Sequence, residues 1–370
     1  MNNREKKVRE PLFHVTKRAG IPKWKTALIY AGLVLGAFVV CLIMMLISFK
    51  LSPFKAIKYM FQGAFGSKTK ILKTLKDTSI LLLIALAVTP AYKMKFWNIG
   101  AEGQVLIGAF ACVACMFNLG GKIPNWLLII LMFISSVGAG ALWAVIPAIF
   151  KAQWKTNETL FTLMMNYIAL QLVLYYIKAW VTTGTGTLPR QDYGRLPLIG
   201  GSDAWLCVIV AAVMVAFLAI YLKYTKHGYE ISVVGESERT AKYIGINVKK
   251  VVIRTLVLSG AICGLVGFII AGGIDYTVSS STVGGRGFTA ILVSWLAKFN
   301  PYMMILTALL VEFLSMGSAE VMMNIQVTNS FFSQVMIGLV FMIIIAGEFF
   351  ITYSVKLARS HKKEAKSDVR

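Results

Sequence analysis

The chain has 370 residues, 57% of them hydrophobic and only 15% charged, with a formal net charge of +22 and a mean hydropathy of +0.71. A water-soluble domain carries roughly 45–50% apolar and about 25% charged residues, so the composition excludes one and implies a polytopic membrane protein. The basic excess does not imply nucleic acid. Lys and Arg gather as eight in Met1–Lys25, six in Lys223–Lys250 and six in Lys356–Arg370, the pattern of orientation signals held in the cytoplasm.

In chain order, residues 1–25 form a basic cytoplasmic tail. It is too long for the n-region of a cleavable signal, and the apolar run that follows, Thr26–Phe49, is of full spanning length with no A-x-A site behind it. Further apolar runs occupy Ser79–Pro90, Val105–Phe117, Trp126–Phe150, Phe161–Trp180, Ala204–Leu222, Val251–Ile274, Phe288–Leu296, Tyr302–Leu314 and Phe331–Tyr353. Several reach the ~20 residues that span a bilayer, whereas those near Ser79, Val105 and Phe288 are short or broken by Gly and Pro. The fold class expected is all-α and polytopic, with about ten hydrophobic segments. A transmembrane domain covers 26–353, with a cytoplasmic loop at 223–250, and a second basic tail covers 354–370.

Ten crossings put both termini and the Lys223–Lys250 loop inside, along with Lys93, Lys95, Lys151, Lys155 and Lys298. Lys50–Asp77 conflicts, since it carries seven lysines yet falls outside by parity. Its apolar spacing predicts an amphipathic helix lying in the outer interface. The five cysteines (Cys41, Cys112, Cys115, Cys207, Cys263) all sit in apolar runs and read as packing residues. No metal, cofactor or catalytic group is indicated, because the chain lacks H-E-x-x-H, serine-hydrolase and paired-carboxylate patterns. Its histidines (His14, His227, His361) fall in cytoplasmic segments.

FWNIGAEGQ, Phe96–Gln104, places Asn98, Glu102 and Gln104 between apolar runs, where unpartnered polar groups are costly. Gly100 and Gly103 predict a break in the helix, through positive φ or close packing. Asn98 would cap the short helix beginning there, and Glu102 would sit at its positive end. Gly284-Gly-Arg-Gly287 repeats the G-x-[charged]-G arrangement before another short run, so Gly284 and Gly287 predict a second break. Segments two to five would match seven to ten as an inverted internal repeat, a pattern that marks transport sites. Asn98, Glu102, Gln104, Asn157, Glu158 and Asn166 are then the candidate substrate pathway. Glu102 is read either as tying the broken backbone to a neighbouring span or as contacting substrate. In the cytoplasmic loop, Ser237 is a predicted N-cap, Glu238 opens a short helix through ERTAKY, and Gly245 stops it.

FWNIGAEGQVLIGA resembles the N-[IL]-[GS]-x-E-G-Q signature of ABC importer permeases of the branched-chain amino acid, ribose and nucleoside type. NETLFTLMMNYIALQLVLYY (Asn157–Tyr176) and HGYEISVVGESERTAKYIGIN (His227–Asn247) resemble two further family segments in the right order. Val233 and Ser237-Glu238 depart from the usual pattern in the last. The resemblance covers roughly Leu51–Phe350 and is strongest to the nucleoside and simple-sugar branch. It implies a non-enzymatic permease subunit that imports a small polar solute, above all a nucleoside, by ATP-driven alternating access across a bacterial cytoplasmic membrane. The partners implied are ABC ATPase subunits, a second permease (identical or homologous) and an extracytoplasmic substrate-binding lipoprotein. Gly235, Glu236, Ser237, Glu238, Arg239, Tyr243 and Gly245 would contact the ATPase. The chain's lack of G-x-x-x-x-G-K-[ST] agrees with hydrolysis elsewhere. A sugar or other small-solute permease is the alternative within this class. Outside it stands a secondary transporter whose ion site would use Glu102, Asp275 or Glu312.

Overall fold

The computed structural model describes residues 13–17, 23–181, 188–327 and 331–357. Most of the two basic tails, including His361, lies outside them. The helices are α1 (Lys23–Phe49), α2 (Pro53–Phe65), α3 (Lys68–Lys93), α4 (Ala101–Leu119), α5 (Asn125–Trp154), α6 (Glu158–Trp180), α7 (Asp203–Tyr224), α8 (Lys226–Glu236), α9 (Glu238–Tyr243), α10 (Val248–Ile269, prolonged by a π-helical turn over Ile270–Asp275), α11 (Arg286–Leu296), α12 (Pro301–Asn324) and α13 (Phe331–Thr352). Each apolar run read from the sequence is a helix. Among the described residues, seven helices are long and apolar enough to cross a membrane.

The chain divides into two compact units, Met1–Met60 with Ser318–Arg370, and Phe61–Gly317. In the first, α1 packs against α13. Gly347 seats the side chain of Leu33 where a Cβ would collide with it, and Phe49 meets Phe332 edge-on at 5.0 Å. Two short antiparallel strands, β1 (Phe13–Lys17) and β2 (Tyr353–Leu357), pair with Phe13 opposite Leu357. The sequence reading left β1 and most of β2 within irregular tails.

In the second unit α3 is central, and its stretch Ile80–Thr89 is almost wholly buried. Small residues let α4, α5 and α10 approach closely, as helices do where no hydrophobic force separates protein from lipid. Ser136 of α5 lies at the three-way contact, its Oγ sharing its proton between Gly108 O (2.7 Å) and Gly264 O (2.8 Å). A Cβ on Gly264 would run into the Ser136 carbonyl, and it would lie 2.8 Å from Val137 Cα.

The Lys50–Asp77 segment differs from the single interfacial helix expected. It breaks at Gly66-Ser67 into α2 and the first turns of α3, because Ser67 Oγ accepts the Lys70 N–H and so starts a new helix. The break lengthens α3 to 26 residues, well beyond the Ser79–Pro90 run. Asp77 becomes a buried residue of that helix. In α2 one face buries Ala56, Met60 and Ala64, while Phe54, Phe61 and Phe65 are exposed.

Glycines of similar appearance should therefore respond differently to substitution. Gly264→Val forces backbone apart and should destabilise the fold by about 1–3 kcal/mol or more, read as a lower thermal midpoint in detergent. A Cβ on Gly138 meets nothing within 4 Å, so Gly138→Ala should be neutral or slightly stabilising. Equal effects of the two substitutions would contradict the packing described here.

Candidate functional site

The helix that ends at Lys93 does not continue into α4. Residues 95–99 run without helix; Phe96 and Asn98 are buried and Ile99 half-buried, while Lys95 and Trp97 are exposed, so the buried backbone groups need partners from within the protein. The neighbours supply them. Ile99 N–H donates to Thr162 Oγ1 (3.1 Å), and Ile99 O accepts from Asn166 Nδ2 (2.9 Å). Asn166 Oδ1 accepts the Gly103 N–H (2.9 Å). Tyr92 Oη donates to Asn98 O (3.2 Å). Thr162 and Asn166 are one turn apart on α6 and so reach the loop together.

Asn98 is fully buried. Its Oδ1 accepts from Gly100 N–H (3.0 Å) and Gln104 Nε2 (3.3 Å), and its Nδ2 donates to Ser259 Oγ of α10 (3.2 Å). This corrects the expected N-cap. The cap position is Gly100, with no side-chain cap bond, because Asn98 turns back onto the loop rather than forward onto the second or third helical N–H. Positive φ is also not what the first pair of glycines provides, since Gly100 has φ −78 and Gly103 is not among the positive-φ glycines. Close approach is. A Cβ on Gly103 would lie 3.0 Å from Asn166 Cα, and one on Gly100 would lie 3.2 Å from Thr162 Cβ. At the second break Gly284 does have φ +64, followed by Gly285 at +79.

Glu102 joins the two breaks. Its Oε1 accepts the Gly285 N–H (2.8 Å) and its Oε2 the Gly287 N–H (2.7 Å), at the first turn of α11. A Cβ on Gly287 would lie 2.7 Å from Glu102 Cα, so the starts of α4 and α11 are in direct contact. Two helix N-termini with their positive partial charges thus meet, and one carboxylate lies between them. Arg286, the charged residue of the second break, points elsewhere and pairs with Asp77 of α3 (3.0 Å). Asp275 and Glu312 both lie within electrostatic reach of that pair.

The six pathway candidates fall into two groups. Asn98, Glu102, Gln104 and Asn166 surround the loop, and Gln104 Oε1 has no hydrogen-bond partner among the described residues. Asn157 is instead the N-cap of α6. Glu158 binds Lys151 (2.6 Å) and lines a cleft of ≈ 200 Å³ with Gly235, Glu236, Ser237 and Glu238. Thr162, Ser259 and the Asp77–Arg286 pair escaped the sequence reading. Thr162 and Asn166 at i,i+4 in an apolar helix were the available signal.

The Lys223–Lys250 loop carries two helices where one was expected. Thr225 caps α8 and Ser237 caps α9, and Gly245 follows with φ +84. His227 of α8 links α7 to α10, with Nδ1 at 2.6 Å from Tyr221 Oη and Nε2 at 3.4 Å from Thr255 Oγ1. Burial holds its pKa below the ordinary value. Gly235 lies directly on the Lys93 carbonyl at the end of α3, where a Cβ has no room. Glu236, Glu238, Arg239 and Tyr243 are exposed, Tyr243 at 91%.

Comparison with known proteins extends this picture. Residues 70–345 match the family model described as branched-chain amino acid transport system / permease component. The chain is 30% identical over 330 residues to a glucose ABC transporter permease protein of Haloferax volcanii, covering 85% of this chain and 86% of that one. It is 30% identical over 267 residues to a guanosine ABC transporter permease protein of Bacillus subtilis, covering 70% and 76%. A nucleoside ABC transporter permease protein of Lactococcus lactis is 28% identical over 332 residues, covering 86% and 85%.

Substitutions at Glu102 should rank by how many acceptors they leave. Glu102→Ala strands the buried Gly287 N–H and half-strands that of Gly285, at about 1–3 kcal/mol for a buried group. Glu102→Gln keeps one acceptor and presents an NH2 to the other N–H, so its thermal midpoint should fall between those of wild type and Glu102→Ala. A midpoint for Glu102→Ala equal to that of wild type would contradict the carboxylate's bridging role.

Proposed function

The chain belongs to the branched-chain amino acid transport system permease family, and from that premise we propose that it forms the membrane pathway of a nucleoside importer driven by a separate ATPase. It is an ABC-type permease of the nucleoside and sugar kind and a multi-pass membrane protein. The finer assignment of nucleoside is favoured by the guanosine and nucleoside permeases among its relatives. Sugar is the second reading, favoured by the glucose permease. The partners of this reading are two ATPase subunits, a second permease and an extracytoplasmic binding lipoprotein, with both termini and α8–α9 on the cytoplasmic side of a bacterial membrane.

One observation carries the mechanism, the seating of Gly235 on Lys93 O. ATPase closure would press on the exposed residues of α8 and α9. Gly235 would pass that displacement to the end of α3, and residues 95–99 follow directly. That loop is bonded to α6 and α10 and leads into Glu102, hence to α11. Asn98, Glu102, Gln104 and Asn166 would thus act on the pathway by moving its walls, whereas Asn157 caps α6 and Glu158 lines the cleft beside α8 and α9. The facing starts of α4 and α11 are the arrangement that an inverted repeat would produce.

Reconstituted with its ATPase, second permease and binding protein, the chain should take up guanosine only with ATP. Purified alone it should hydrolyse none. Gly235→Val should lower guanosine uptake per ATP hydrolysed by roughly tenfold, the order of coupling between linked sites, with a lower thermal midpoint because its Cβ meets the Lys93 carbonyl. Uptake by the isolated chain under an ion gradient would overturn this function. Wild-type coupling in Gly235→Val would place the connection elsewhere.

A further inference from the structure

The buried side of α6 holds the loop through Thr162 and Asn166. The opposite side, at helical spacing, carries Tyr167, Gln171 and Tyr175, with Tyr167 and Tyr175 exposed at 58% and 70%. Gln171 lies 13 residues into a helix of 23, about 20 Å from its start and so deep within a hydrocarbon layer ~30 Å thick. The exposed mid-span residues of α1, α5 and α7 are apolar or glycine, such as Val39, Ile134, Leu142 and Val213, as lipid requires. Among the described residues, Tyr167 and Gln171 are the only exposed hydrogen-bonding side chains more than eight residues from both ends of a spanning helix. The Gln171 amide bonds to no described residue. An amide facing lipid at that depth is costly, and such groups face a cavity or protein instead.

The surface is also hollow. A shallow groove of ≈ 610 Å³ runs over Tyr167, Gln171, Tyr175 and Tyr176. A second, of ≈ 360 Å³, continues it past Met164 towards Asn157, the two sharing Ile168. Tyr175 is backed by Tyr176 edge-on at 5.5 Å, and Tyr176 rests in turn on Phe110 at 5.3 Å.

We propose that Tyr167, Gln171 and Tyr175 form the substrate-facing wall of the pathway, the tyrosine rings stacking on a nucleobase and the Gln171 amide reading its hydrogen-bonding edge. This rests on the nucleoside reading above. Rings one turn either side of an amide match a flat π-face with donors and acceptors along its rim. A sugar would leave most of the ring area unused. Because Asn166 and Gln171 share one helix, movement of the loop bonded to Asn166 turns this wall directly.

The test uses the full complex in proteoliposomes, with guanosine, uridine and ribose as probes. Wild type should carry guanosine. Gln171→Leu should change the guanosine-to-uridine ratio of kcat/KM by roughly tenfold, the order expected for one lost bidentate base contact. Tyr167→Ala should raise KM for both nucleosides by roughly tenfold, from lost stacking, and Tyr167→Phe should restore it. Complex assembly and thermal midpoint are measured alongside. Unchanged KM and selectivity with a raised midpoint in Gln171→Leu would make the face lipid-exposed, and dissociation of the permease pair would make it a subunit interface. Either result overturns the proposal while leaving the nucleoside function standing. A wild-type complex that carries ribose and neither nucleoside would sink that function first, and this wall with it.

Discussion

A carboxylate held between two helix starts is the interaction on which the rest of this structure depends. Helices α4 and α11 begin inside the membrane domain with their first turns in contact. Each start presents unpaired N–H groups and a partial positive charge. Brought together without an anion they would repel, and their donors would lose a strong acceptor. Glu102 meets both needs, being in the first turn of α4 and accepting two N–H groups at the start of α11. Charge-assisted bonds of this kind are about twice as strong as neutral ones. The glycines are required by the same contact, since any Cβ at Gly287 would push the two helices apart.

From that junction the remaining polar residues follow as consequences. A chain that leaves helical geometry at residue 95 frees backbone groups that need partners, and Tyr92, Thr162 and Asn166 supply them, while Ser259 takes the Asn98 side-chain amide. The loop is consequently tied to α3, α6 and α10 at once. A displacement of any one of these helices reaches Glu102 through bonds of 2.9–3.2 Å. Such a loop is stiff and positioned, which suits a part that moves as a unit between two packed states. In the proposed mechanism the contact of Gly235 with Lys93 O would supply the input to it.

Much of this was legible in the sequence, and the limits are instructive. All ten apolar runs are helices because hydropathy reports burial in lipid or protein alike. That the helices break beside Gly100 and Gly284 was legible because glycine and polar residues are costly in a span unless they have work there, although Gly103 and Gly287 themselves lie inside α4 and α11. What Glu102 binds was not, because its partners are backbone N–H groups 183 and 185 residues away, and these leave no mark in side-chain identity. Asn98 was misread as a cap for a related reason. Local spacing suggests that Oδ1 takes a helical N–H, whereas in the fold it is already occupied by the Gly100 N–H and the Gln104 amide, with Ser259 fixing the other end of the side chain. The split of Lys50–Asp77 followed from Ser67, whose capping role was outweighed in the sequence by an amphipathic spacing that continues through it.

The account stands or falls on whether Glu102 protects the start of α11. Amide hydrogen exchange of the reconstituted complex, followed in peptides covering residues 284–296, reads this directly. The account predicts that Glu102→Ala speeds exchange at Gly285 and Gly287 by on the order of tenfold or more, as a local opening would. Exchange at the start of α6, capped by Asn157, should stay as in wild type. Identical exchange at 284–296 in the two proteins would contradict the central claim.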